Sequence, residues 1–337
     1  MSGNEMPNSA ARRRWLRGAG VVGAGLVLGT VLRTPRAEAA YPDRLIKFLV
    51  PQPPAGPTDI IARIFSHELG EALKTTTIVE NKSGAGGNVP IGAFSGADPS
   101  GYNLMVVSSV LVVNPAIFVS VPYDPINDFA PICEIGEAPN SIVVDAKLNI
   151  KTMADLLAAA RKEPGKINYT SPGIGSNPFM AAEILKLHER VDMVHIPYVG
   201  GGPALQATLA GTAQVLFGSI APVRPYIRSG QLRPIAILGS KRWHELPDVP
   251  TWNELGYQGQ SFETFQSLLA PARTPPDILK HLEATSLAVL ARPEVQAKLL
   301  AAGFVTTARN STALKARIAK EVPMWKEMAQ LAGIKPR

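Results

Sequence analysis

Four times in this sequence a short β-branched or apolar run breaks into a loop rich in Gly or Pro and reopens on residues suited to a helix. The run at 45–50 leads into 51–57 and then Thr58 and Asp59; 77–80 leads into 81–88; 167–170 into 171–178; and 194–198 into 200–203. Such alternation is the grammar of an α/β protein. Further strands are expected at 104–108, 141–144, 215–217 and 234–238. Helices are expected at 153–162, 178–187, 203–210, 222–229, 275–290 and 311–331. In this reading no strand separates the last two helical stretches, so both are expected to pack over the outside of a domain.

A chain of 337 residues is long enough for two ordinary domains. Breaks in pattern near Glu137–Asn140 and Tyr257–Phe265 suggest two crossings between lobes. That makes 40–138 with 260–337 a discontinuous first lobe and 139–259 an inserted second one. The single cysteine, Cys133, excludes a disulfide framework and any Cys-based metal site within one chain, and its apolar surroundings predict a buried thiol. Trp243, Trp252 and Trp325 fall in polar helical or turn settings, whereas Tyr198, Phe217 and Phe265, which end or follow strands, are better placed for a cleft, with core packing an equal alternative for Phe217 and Phe265.

The formal charge of +7 is concentrated at the start, because the first 39 residues hold six of the 34 basic and two of the 27 acidic residues. A net charge of about +3 over the remainder is no footprint of nucleic-acid binding. Arg12-Arg13-Arg14-Trp15-Leu16-Arg17, an apolar run at 18–32 and Ala37-Glu38-Ala39 have the order of an export signal cleaved near Ala39. The Arg-Arg-x-aromatic-Leu-basic pattern resembles the twin-arginine motif. The 15-residue apolar run is shorter than the roughly 20 residues of a spanning helix, which argues for removal of the segment and a periplasmic mature chain.

Two readings stand for each Gly-rich loop: an ordinary turn, or a backbone cradle for an anion at a helix start. In the first loop Gln52, Ala55 and Gly56 precede Thr58 and Asp59, either of which could simply cap the helix. Asn88 closes the second loop and Ser108 ends a strand. Ser171, Gly175, Ser176 and Asn177 line the third, and Tyr198 with Gly200 opens the fourth; Ser219 follows a later strand. Together the loops describe a cleft that grips an anion with amides and hydroxyls and little fixed charge. No nucleophile elbow, zinc-protease pair or phosphate loop is present in the sequence. The histidines His67, His188, His195, His244 and His281 lack ligand spacing, and nothing calls for a metal or organic cofactor. Asp59 is the one ionisable candidate for catalysis, and capping competes for it.

An ordered set of short motifs carries a resemblance. It comprises 51–63, Val79-Glu80-Asn81-Lys82 with 84–88, Asp98-Pro99-Ser100-Gly101-Tyr102, Asn114-Pro115, Pro122-Tyr123-Asp124-Pro125, Pro164-Gly165-Lys166, 173–176, His195-Ile196-Pro197-Tyr198 and Leu246-Pro247-Asp248-Val249-Pro250-Thr251. In this order, over essentially the whole chain beyond Tyr41, they resemble the periplasmic solute receptors of the tripartite tricarboxylate transporters, the Bug-type receptors.

The resemblance implies a two-lobed type II periplasmic-binding fold with a ligand cleft between the lobes, closing as a monomer on a small carboxylate for delivery to membrane permease subunits. It implies that amides of the first and third loops hold a carboxylate, through Ala55, Gly56, Thr58 and Asp59 on one side and Ser171, Gly175, Ser176 and Asn177 on the other, with Tyr198 and 200–202 nearby. Departures from the pattern are Gln52 for an aromatic residue, Ala55-Gly56 for a Gly pair, Pro178-Phe179 for His-Leu, and Gly218-Ser219 for a more polar pair. They point to a solute less polar than citrate, an aromatic or aliphatic monocarboxylate. The other classes left open are a periplasmic enzyme acting on a carboxylated substrate and a sensor of ligand occupancy for a signalling partner.

Overall fold

The computed structural model describes residues 41–257 and 262–336. The expected export signal at 1–39 and the lobe boundary expected at 259 and 260 lie outside the described residues.

In chain order the elements are β1 (Ile46–Val50), α1 (Pro57–Leu73), β2 (Thr77–Asn81), α2 (Asn88–Ser95), β3 (Asn103–Ser108), α3 (Val110–Ile117) and β4 (Phe129–Ala138). There follow β5 (Asn140–Asp145), α4 (Met153–Lys162), β6 (Ile167–Ser171), α5 (Asn177–Glu189), β7 (Met193–Pro197), α6 (Gly201–Leu209), β8 (Val215–Ser219), α7 (Ile220–Arg228) and β9 (Leu232–Ile237). The chain ends with β10 (Thr264–Pro271), α8 (Pro276–Leu290), α9 (Pro293–Ala301), β11 (Val305–Asn310) and α10 (Ser311–Leu331).

Helix boundaries follow from local chemistry. Pro57 opens α1, where a missing N–H costs nothing, and Lys74 closes it in a left-handed cap. Thr152 and Asp155 form a reciprocal capping box on α4. Ser176 and Asn310 accept the N3 amides of α5 and α10.

Two sheets result. The first has the order β11-β4-β10-β3-β1-β2 and the second β7-β6-β8-β5-β9. Parallel pairing of β1 with β2 and β3, and of β6 with β7 and β8, follows from the helical crossovers. Strand β10 runs antiparallel between β3 and β4, and β5 antiparallel between β8 and β9. Only Pro139 separates β4 of the first sheet from β5 of the second, and the chain returns between Ile237 and Thr264.

One face of the first sheet packs Phe48, Val106 and Leu268 against Phe65 and Leu69 of α1 and Leu290 of α8. A second apolar cluster runs from Val107 of β3 and Leu111 and Val112 of α3 to Phe179 and Met180 of α5 and Trp325 of α10, joining elements that flank both sheets.

Several expectations are corrected here. The sequence pattern does not place strands β4, β10 and β11 or helices α2, α3 and α9, and β11 stands between the last two long helices. Helix α10 lies with Leu314, Ile318, Val322 and Trp325 buried and Lys315, Lys320, Lys326 and Glu327 exposed, the two faces of a helix packed over a core. The three tryptophans Trp243, Trp252 and Trp325 are core residues, and Phe217 and Phe265 are fully buried rather than cleft-lining. Cys133 is buried as expected, and burial pushes its thiol up to about 12.

Candidate functional site

The first loop ends on Gly56, the N-cap of α1, with Pro57 at the first helical position. The Ile60 N–H is the first in the helix to find an acceptor, Gly56 O at 3.0 Å. The N–H groups of Thr58 and Asp59 therefore have no intrahelical acceptor, and the positive end of the helix dipole lies behind them. Thr58 is buried beside them.

Asp59 does not point a free carboxylate outward. Its Oδ2 accepts the Ala55 N–H at 2.9 Å and Arg63 Nε at 3.1 Å, and a further Arg63 nitrogen sits 2.9 Å from Oδ1. Burial pushes this carboxyl up, but the bonds from Arg63 and Ala55 outweigh it and hold it below the usual carboxylate range. Two expectations change as a result. The Ala55 amide is already occupied by Asp59, and Asp59 is a brace for the loop, with Oδ2 hydrogen-bonded and Oδ1 held only by the ion pair to Arg63. Ala55 itself adopts φ 62, the left-handed conformation its side chain disfavours.

The third loop is built similarly. Ser176 Oγ accepts the Phe179 N–H at 3.3 Å and donates to Gly173 O at 2.7 Å, and the Ser176 N–H also reaches Gly173 O. Because Met180 is the next donor into the helix and Pro178 has no N–H, the Asn177 amide is left without an intrahelical acceptor. Ser171 is buried, accepts the Gly173 N–H at 3.3 Å and lies 2.8 Å from His195 Nε2. The His195 ring stacks on Tyr169 with centroids 4.7 Å apart and tilts against Phe179. Tyr169 in turn donates to Glu183, and burial with that charge raises the phenol.

Ser108 and Ser109, at the end of β3, connect the two loops. Gln52 Nε2 donates to Ser108 Oγ at 3.0 Å, while Ser109 Oγ donates to Asn177 Oδ1 at 2.8 Å. Asn177 Nδ2 continues to Glu263 O at 2.8 Å. Gly175, at φ 92, sits so close to α3 that a Cβ would run into the Ile117 side chain and lie 3.4 Å from Asn114 Oδ1.

The remaining predicted residues brace the surroundings. Asn88 Oδ1 accepts from Asn114 Nδ2 at 2.7 Å and from Tyr123 at 3.3 Å. The Gly200 amide closes a turn on Pro172 O at 2.8 Å, leaving Gly201 and Gly202 as the first-turn donors of α6. Tyr198 is half-buried against the apolar cluster of α6, α7 and β8. Ser219 donates to Asn140 Oδ1, and Asn140 Nδ2 bonds Phe262 O and Thr264 Oγ1, so this group braces the passage between sheets.

Sequence reasoning did not single out Ser109, Asn114 as a side chain, His195 or Gln266. Asn114 and His195 stood inside recognised motifs, while Ser109 carried no signal because its partner Asn177 is distant in sequence, and Gln266 because it lies in a strand that the pattern does not place. The assembled chemistry suits an anion, with helix N-termini supplying amides and neutral hydroxyls and carboxamides around them. Among the described residues no group of His, Cys, Asp or Glu is placed to hold a metal ion, and no helix is long and apolar enough to cross a membrane.

Comparison with known proteins places this geometry among relatives. A family model described as the tripartite tricarboxylate transporter family receptor matches residues 61–334. BugT of Bordetella pertussis is 30% identical over 314 residues, spanning 92% of this chain and 96% of BugT. A solved R. palustris protein with adipate has a TM-score of 0.82 at 27% identity, covering 88% of this chain and 100% of that one. MatC from Rhodopseudomonas palustris, with bound malate, has a TM-score of 0.76 at 27% identity, covering 86% and 99%.

Proposed function

Because the chain belongs to the receptor family of the tripartite tricarboxylate transporters, we propose that it captures a small carboxylate between its lobes and hands it to the membrane permease subunits of such a transporter. The observation that carries this reading is the pairing of two helix starts. The spare amides of Thr58 and Asp59 open α1 and that of Asn177 opens α5, and the loop before α1 and the first residue of α5 both bond the Ser108-Ser109 link, through Gln52 and Asn177. Dipoles and N–H groups stabilise a carboxylate there without a dedicated cation. Relatives solved with adipate and with malate support the same class of solute.

In this reading residues 1–39 direct export, by the twin-arginine route, and are removed near Ala39, and the mature receptor works as a monomer in the periplasm. Its first lobe is 40–138 with 260–337 and its second 139–259, with Pro139 at one crossing. Gly56, Thr58 and Asp59 contribute amides from the first lobe. Ser171, Gly175 and Asn177 face them from the second.

The test is thermal unfolding of the purified protein with mono-, di- and tricarboxylates, amino acids and neutral sugars, followed by recovery of each stabilising compound. A ligand at 100 times its Kd should add about 2.7 kcal/mol to stability. Stabilisation confined to carboxylates that are recovered intact is the expected result; stabilisation by sugars alone would discard the anion site. A second reading, an enzyme acting on a carboxylated substrate, draws on the 2.8 Å contact of Ser171 with His195. Chemical conversion of the stabilising compound, abolished by Ser171→Ala, would establish it instead.

A further inference from the structure

Gln266 is fully buried on β10, and neither its Oε1 nor its Nε2 has a hydrogen-bond partner among the described residues. Buried polar side chains are rarely left so, and a carboxamide with both ends unpaired points to something that occupies the space beside it. Its register partner across the antiparallel ladder is Ser108, and directly opposed residues share a sheet face. Ser108 Oγ accepts from Gln52 Nε2, and the Oε1 of Gln52 is likewise buried and unpaired. Three neutral polar side chains thus converge at the end of β3. Gln52 lies in the loop that leads into α1, and Ser109, next to Ser108, bonds Asn177 at the start of α5. The cluster therefore adjoins the loop before α1 and, through Ser109, the start of α5.

We propose that Gln266, with Gln52, reads a neutral group that both donates and accepts hydrogen bonds, a hydroxyl or carboxamide, on the far end of the bound carboxylate. This deepens the receptor reading and rests on it. The unpaired atoms are one N–H₂ donor and two carbonyl acceptors, and a hydroxyl or carboxamide can serve both kinds. A methyl or phenyl end would leave all of them unpaired, which runs against the plain monocarboxylate expected from the sequence. A second carboxylate would satisfy the donor but set its charge against two carbonyl oxygens. The cation of this loop, Arg63, is engaged by Asp59 and Asn81.

The experiment is calorimetric titration of the full chain and of Gln266→Leu with matched ligands. These are butanoate, 4-hydroxybutanoate, 4-amino-4-oxobutanoate and butanedioate, their five- and six-carbon counterparts, and benzoate with its 4-hydroxy, 4-carbamoyl and 4-carboxy forms. In the natural protein a hydroxy or carbamoyl member should bind at least about tenfold more tightly than both its plain acid and its diacid, and the preference should fall below about threefold in Gln266→Leu. Both Gln266→Leu and the slimmer Gln266→Met should melt at or above the natural protein, since an apolar end replaces unpaired polar atoms. If Gln266→Leu does not fold, Gln266→Met carries the same titration. Carboxylate binding with the preference absent from the natural protein, or retained in the variant, overturns the role of Gln266 alone. Binding of no carboxylate by the natural protein overturns the receptor reading and this proposal with it.

Discussion

Ala55 pays a conformational cost in a place where glycine would not. At φ 62 its Cβ crowds the neighbouring backbone, a cost of roughly 1–2 kcal/mol for an L residue. The conformation persists because the Ala55 N–H is drawn onto Asp59 Oδ2, which Arg63 fixes from the other side. Ala55→Gly should therefore stabilise the protein by about 0.5 kcal/mol, the relief of crowding being partly offset by the greater freedom of glycine in the unfolded chain. Urea unfolding measures this, and a destabilised variant would show that the loop does not hold this conformation in solution. At this scale the sequence was partly readable. For Asp59 the sequence offered a helix cap or a catalytic carboxyl; the structure makes it a brace bound to Arg63 and to the Ala55 amide. That Ala55 would lose its amide to Asp59 was not legible, because it depends on the turn of the loop in space.

Strand β4 shows why some elements escape a reading of pattern alone. Its sequence carries Pro131, Glu134, Gly136 and Glu137, residues poor in strand propensity, yet Glu134 is fully buried. The carboxylates are acceptable only because residues some 170–180 positions later arrive to meet them. Arg309 of β11 bonds both Glu134 and Glu137, Arg317 of α10 does the same, and Thr307 adds a hydroxyl to Glu134. The same dependence on a distant partner hid β10 and β11, whereas β1, β5 and β8, with the apolar runs Phe48-Leu49-Val50, Ile142-Val143-Val144 and Val215-Leu216-Phe217, could be placed from sequence. Removing Arg317 by Arg317→Met should cost about 3–5 kcal/mol, since it strips a partner from a buried carboxylate. The exposed Lys315→Ala on the same helix should stay within about 0.5 kcal/mol.

The pH dependence has a definite sign. Burial raises the Glu137 carboxyl, but Arg317 and Arg309 outweigh it and hold it below its ordinary value. Its contribution is therefore present above the unfolded carboxylate pKa of about 4.3 and is lost as pH falls through the lower folded value. Melting temperature should fall on acidification below about pH 4.5, and less steeply in Arg317→Met; equal slopes in the two proteins would remove the cluster from the acid response.

Across the whole molecule, the two sheets communicate through a shared apolar cluster, the Ser109–Asn177 bond and the approach of Gly175 to α3. The α/β alternation and the loops at the helix starts were legible, because the period of the apolar pattern changes at each junction, whereas the two-lobed plan came with the family resemblance. The meeting of the loops was not, since it depends on how one lobe folds back on the other. Gly175 offers a way to test that meeting. A Cβ there would collide with Ile117 and lie 3.4 Å from Asn114 Oδ1. Gly175→Ala should hold the lobes apart, increase the radius of gyration of the liganded protein in solution scattering, and weaken carboxylate binding by about tenfold or more. The positive φ of Gly175 adds a local cost that any side chain would incur, so the single variant does not separate a clash between lobes from a damaged turn. Ile117→Ala separates them, because it empties the space the new Cβ would enter and leaves the turn untouched. If affinity and compactness return in the double variant, the contact between lobes governs closure; if both stay lost, the backbone of the turn at 173–176 is what the ligand requires.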